Sequence, residues 1–180
     1  MAWSAGPDLP DPPVLGDAAS IAALGAVLRR AAADVGAAVR SVTQGLDDPD
    51  PVPGSGARLN RQQRARIRDL HRRSTAVTAS LDRVGQRLID HAGDLAEAVG
   101  LAQRIIERST AAGLSVDGPR IERVGGVHGI ADPAGEAARD DALARLQRVL
   151  DTVLLDLDTR RRSLREDLAK ERIEVSDPLT

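Results

Sequence analysis

The stretch IRDLHRRSTAVTASLDRVGQRLIDHAGDLAEAVGLAQRI, residues 67–105, decides the architecture. Ile67, Leu70, Ser74, Val77, Leu81, Val84, Leu88, His91, Leu95, Ala98, Ala102 and Ile105 follow one another in alternating steps of three and four. Those steps stack all of these positions on one side of an α-helix, as in the seam of a coiled coil. Asn60 followed by Gln63 has the form of a capping box, and Gly113 with Leu114 reads as a left-handed C-terminal cap. The spacing predicts one helix over about 58–112, and about 50 residues at 1.5 Å each make a rod of roughly 75 Å. A rod of that length has to lie alongside partners for most of its course.

A second seam precedes it. Asp17 can cap the unpaired amides of a helix start. Ile21, Leu24, Leu28, Ala31, Val35, Ala38 and Val42 then keep the same 3-4 spacing. DDPDPVPGSG, residues 47–56, cannot continue a helix, so the first one spans about 17–46. Residues 1–16 hold four prolines and read as a disordered arm.

Downstream, residues 114–131 carry a DG turn signal and further glycines, which predicts a short hairpin or an irregular strap. Asp132 caps a third helix with Pro133 at its favoured first position. Leu143, Leu146, Leu150, Val153, Leu157, Leu164 and Leu168 give that helix, about 133–173, its apolar stripe. Arg160 and Arg161 interrupt the stripe, so the last turns are expected to be more exposed, with a tail at 174–180. The expected fold is all-α. A single helical domain, 17–173, folds as an elongated antiparallel helical hairpin with a third packed helix, making a three-helix bundle.

Composition narrows the function. Aromatic residues make up 1% of the chain, so Leu, Val, Ile and Ala must form the core, which suits close-packed helices. Lys170 is the only lysine among 25 basic residues. A net charge of −2 gives no general drive toward nucleic acid or membrane. With no cysteine, disulfides and thiolate ligands are excluded. The N-terminus has no basic, apolar signal-peptide pattern, and no run of about 18 apolar residues occurs. The expectation is a soluble chain made in the cytoplasm.

No catalytic, cofactor-binding or metal-ligating set emerges. His91 occupies a seam position, where it reads as a core or rim histidine or as a pH-sensitive contact. His71 and His128 lie in other segments, and no H-x-x-x-H or E-x-x-H spacing exists. Asp151, Asp156 and Asp158 point to different faces, as charges on a bundle do. GGVHG, 125–129, lacks the Lys and Ser/Thr of a phosphate loop. An enzyme is not expected.

Arg58, Arg61, Arg64, Arg66, Arg68, Arg72 and Arg73 face only Asp69. Positive charge near a helix start opposes the helix dipole. The run reads as a solvated helix start, as a surface for an acidic partner, or as a nucleic-acid contact without stacking aromatics.

The segment LGDAASIAALGAVLRRAAADVGAAV, the Pro/Gly loop, the long helix with HAGDLAEAV, AGLSVDGPRI and the DPAGEAARDDALARLQRVL helix together resemble one known layout. They are similar to the helical N-terminal domain of actinobacterial type VII secreted toxins, in the WXG-motif (Esx-like) superfamily, over about residues 15–170. The resemblance implies a helical hairpin that pairs with a small helical partner or secreted cargo and meets the secretion machinery. The family's W-x-G turn is missing, since the only Trp is Trp3, and without tyrosine there is no Y-x-x-x-D/E export signal. His91 stands where long helices of this family carry a tyrosine. The chain is therefore expected to be the adaptor portion alone, cytoplasmic or exported by type VII secretion with a signal-bearing partner.

The expected interface comprises Ile67, Leu70, Val77, Leu81, Val84, Leu88, His91 and Leu95, with Arg61, Arg64, Arg68 and Arg72. The alternative is a self-associating coiled-coil scaffold, or a DNA-binding protein that uses the Arg-rich start of the second helix.

Overall fold

A computed structural model describes residues 11–47, 61–124 and 133–176; of 45–47, 61 and 173–176 it describes the backbone alone. The described chain is mostly helical. Its elements are α1 (Ala18–Asp47), α2 (Arg61–Ala111), β1 (Leu114–Asp117), β2 (Arg120–Arg123) and α3 (Pro133–Ser176). α2 runs unbroken for 51 residues, as its spacing predicts. It ends where Gly113 takes a φ of 72°, a left-handed conformation that costs glycine nothing. α1 begins directly after Asp17, and α3 begins at Pro133 and continues to Ser176. The predicted capping residue Asn60, together with Arg58, His128 and Asp132, lies outside the described residues.

The chain divides into two compact units, and α2 and α3 contribute to both. The first unit takes residues up to Ala18 and Ala92–Arg162. Its core is Ile105, Leu114, Val116, Ile121 and Leu150, with Leu143, Leu146, Val153 and Leu154 packed around it. Between α2 and α3 the hairpin alternative holds: β1 and β2 pair antiparallel, Val116 opposite Ile121 and Asp117 opposite Arg120. Alternation turns Leu114, Val116 and Ile121 inward and Asp117, Arg120 and Glu122 outward, while Arg123, opposite Leu114 at the end of the ladder, is exposed. The turn residues are Gly118 and Pro119. A φ of 52° at Gly118 gives the positive first position of a two-residue connection, and Pro119 supplies the negative second one.

Gln147 of α3 ties down the hairpin. Its Oε1 accepts from the Ile121 amide at 2.8 Å, and its Nε2 donates to the Pro119 carbonyl at 2.9 Å. The leading segment joins the same unit. The Gly118 amide donates to the Asp11 carbonyl at 2.8 Å, and Arg161 donates to the Leu15 carbonyl at 2.7 Å. Gly16 lies so close to Leu95 that a Cβ there would stand 2.9 Å from Leu95 Cδ2.

The second unit takes Ala19–His91 and the chain from Ser163. Within it the residues of α1 and α2 that meet rise in number along one helix and fall along the other. Gly25 lies against Gly85, Arg29 binds Asp82 at 3.0 Å, and Gly36 approaches Thr78. The buried side of α1 is the line Gly25, Ala32, Gly36 and Val39, not the predicted seam. Leu24, Val35 and Val42 of that seam are exposed. The reason is separation: where two helix backbones touch, only small residues fit between them, and the large ones are displaced to the flank.

α2 shows the same shift over its first half. Ile67, Ser74, Leu81 and Leu88 are half-buried as the seam requires, but His71, Thr78 and Gly85 are more covered than Leu70 and Val77. From His91 to Ile105 the seam is buried throughout.

α3 keeps its predicted stripe, with Leu150 and Leu157 buried. Beyond Arg160 the apolar stripe is less covered, as expected, with Leu164 and Leu168 half-buried, but Glu171, next on the same line, is buried. Arg160 and Arg161 do not disrupt the helix surface because each has partners. Arg160 pairs with Asp94, Glu97 and Asp156, and Arg161 holds the Leu15 carbonyl.

Candidate functional site

The second unit keeps a run of large apolar side chains on its surface: Leu24, Val27, Val35 and Val42 from α1, and Leu70 and Val77 from α2. Leu24, Val35 and Val42 flank the line along which the two helices touch, as do Leu70 and Val77, while Val27 lies farther round α1. Leu70 is 65% exposed and Val42 63%, which is far from the state of a core residue. Between them opens a hollow of about 190 Å³ lined by Ala38, Val39, Val42, Thr43, Ile67, Leu70, His71 and Ser74.

That lining is almost wholly apolar. The Thr43 hydroxyl is spent on the Val39 carbonyl at 2.7 Å, and His71 Nδ1 is buried without a hydrogen-bond partner among the described residues. A hollow this small falls below the ~300–1,000 Å³ of small-molecule pockets. It has room for a side chain of another protein.

The predicted interface residues divide into three groups. Leu70 and Val77 are exposed; Ile67, Leu81, Val84 and Leu88 are half-buried. His91 and Leu95 are buried within the chain, at 8% and 1% exposure. The open face therefore stops short of His91 and Leu95. Arg64, Arg68 and Arg72 are exposed on α2 but not at the three- or four-residue spacing that would make them neighbours of Leu70, and the Arg61 side chain lies outside the described residues. Sequence reasoning missed Val27. It lies outside the heptad phase, so periodicity alone could not select it.

A polar cluster on the α2–α3 side of this unit was also missed. Glu171 accepts two hydrogen bonds from Arg83, at 2.7 and 2.8 Å, and one from Ser80 at 2.7 Å. Arg87 lies 2.6 Å from Asp167 and 4.0 Å from Glu171. The Arg83 bonds hold the Glu171 carboxyl at a pKa of about 2, against the opposing effect of burial. Burial pushes Asp167 upward, but bonds from Lys170 and Arg87 outweigh it and leave it below its ordinary value. Among the described residues each acid here meets a base, so the cluster locks α2 to α3. The available signal was a glutamate at a position continuing the Leu164–Leu168 stripe.

Among the described residues no group of three or more His, Asp or Glu side chains is arranged to hold a metal, and no helix is long and apolar enough to cross a membrane. Comparison with protein-family models, curated proteins and solved structures finds no match for the chain.

Proposed function

We propose that this chain is a non-catalytic interaction protein, an adaptor or chaperone-like partner in type VII secretion, that pairs through α1 and α2 with a small helical protein or secreted cargo. In this reading α1 and α2 act as a helical hairpin with α3 as the third packed helix. The observation that carries it is the exposed apolar run of Leu24, Val27, Val35, Val42, Leu70 and Val77. Val42 and Leu70 border one apolar hollow, and an exposed apolar patch marks an interaction site more often than scattered single side chains do. Each such side chain contributes about 1.5–3 kcal/mol once fully covered. The secretion context rests on the resemblance of the helices and intervening segments to the WXG-motif superfamily. These 180 residues contain no tyrosine, and in this reading the partner carries the Y-x-x-x-D/E export signal.

Co-expression with a small helical protein encoded beside this one tests the proposal. A stable heteromer that loses its partner on Leu70→Glu supports it. A homodimer indifferent to the neighbour would instead favour a self-associating scaffold.

A further inference from the structure

The exposed run lies beside a marked charge imbalance. Between Arg61 and Val77, α2 carries six arginines against one acid, Asp69. Asp69 is shared by Arg72 and Arg73, at 3.3 and 2.9 Å. Arg64, Arg66 and Arg68 have no acidic partner among the described residues. No acidic residue stands in the first turn of α2 either, so the helix dipole adds to the positive field. On the surface of α2, Arg66 lies four residues before Leu70 and Arg73 three after it. These are the spacings at which helix side chains are neighbours, so the two guanidinium groups bracket Leu70.

The apolar positions repeat at the same interval on both helices. Val35 and Val42 are seven residues apart on α1, and Leu70 and Val77 are seven apart on α2. The contact of Gly36 with Thr78 brings the Val35 and Val77 levels together, and the hollow joins Val42 to Leu70. Two apolar steps separated by two helical turns match an occupant that is itself a helix, read at i, i+3/i+4 and i+7. A basic rim around an apolar seat calls for carboxylates around an apolar anchor.

We propose that the hollow between Val42 and Leu70 takes the apolar anchor of an amphipathic helix whose flanking carboxylates lie against Arg66 and Arg73. This deepens the pairing function above and rests on it. Nucleic acid fits less well: the seat is apolar, and with no Phe or Tyr and one Trp at position 3 no aromatic platform for bases accompanies the arginines.

The test uses the full chain and two labelled, stapled helical peptides with the same Leu stripe. One is flanked by Glu and the other by Gln, and stapling is needed because isolated short helices are marginal in water. Fluorescence anisotropy should give about tenfold tighter binding for the Glu peptide, a preference that shrinks with added salt. The double variant Arg66→Glu/Arg73→Glu should abolish the preference, and Leu70→Glu should abolish binding of both peptides. Circular dichroism checks that each variant keeps its helicity.

Equal binding of the two peptides, lost in Leu70→Glu, would overturn the acidic chemistry and leave helical pairing standing. Binding of neither peptide overturns this proposal, and the co-expression result then judges pairing on its own. Tighter binding of a short DNA duplex than of the Glu peptide, lost in the arginine variant, would replace the proposal with nucleic-acid recognition.

Discussion

Gly25 of α1 and Gly85 of α2 touch through their backbones. A Cβ added at Gly25 would stand 2.6 Å from the Gly85 carbonyl oxygen, and one at Gly85 would stand 2.7 Å from the Gly25 carbonyl oxygen. Real Cβ atoms do not approach that closely, so the contact exists only because both residues are glycine.

Glycine in a helix normally costs about 1 kcal/mol relative to alanine. Gly93, also inside α2, has nothing within 4 Å of its would-be Cβ. Gly93→Ala should therefore stabilise the protein by up to about 1 kcal/mol. Gly85→Ala should destabilise it by about 1–3 kcal/mol, because the helices must be forced apart. Urea denaturation of the two variants decides. Equal stabilisation by both would show that the helices do not cross at this pair.

The Glu171–Arg83 lock makes stability pH-dependent. Glu171 has a folded pKa of about 2 against an ordinary 4.5, so its contribution is complete above about pH 4.5 and disappears as the pH falls toward 2. Because the Arg83 side chain is 46% exposed, solvent screening limits that contribution to about 1–2 kcal/mol. Thermal melts of wild type and Glu171→Gln should differ at neutral pH and converge near pH 2. A constant difference across that window would mean the lock is not ionic.

Gln147 should govern the hairpin. Gln147→Ala removes both the acceptor for the Ile121 amide and the donor to the Pro119 carbonyl, and should cost about 1–2 kcal/mol. Hydrogen exchange of the Ile121 amide should accelerate well beyond that of α2. Unchanged protection there would place the hairpin's stability in its apolar contacts alone.

His91 is buried, and its Nδ1 has no hydrogen-bond partner among the described residues. An unsatisfied buried polar atom costs about 1–3 kcal/mol. His91→Leu should leave the fold intact and raise the melting temperature. Marked loss of helicity would show that the imidazole makes a contact the protein needs.

Residues that announce themselves by periodicity or turn chemistry were legible from the sequence. The α3 stripe from Leu143 to Leu168 was of this kind, as were the α2 C-terminus at Gly113 and the start of α3 at Pro133. Residues defined by their absence of side chain were not. Gly25, Gly36 and Gly85 carry no hydrophobic signal, yet they line the closest approach of two helices. Glu171 was illegible for the opposite reason: a charge on an apolar stripe reads as an interruption until Ser80 and Arg83 are known to meet it.

By itself the sequence determined where helices form and stop, because caps, prolines and 3-4 spacing act within a few residues of one another. Tertiary structure alone decided which of two neighbouring lines on α1 is covered. Burying Gly25 and Ala32, with Gly36 half-buried against Thr78, brings the backbones close, and it leaves Leu24, Val35 and Val42 at the surface. That choice depends on the distance between helix axes, a quantity no local pattern contains.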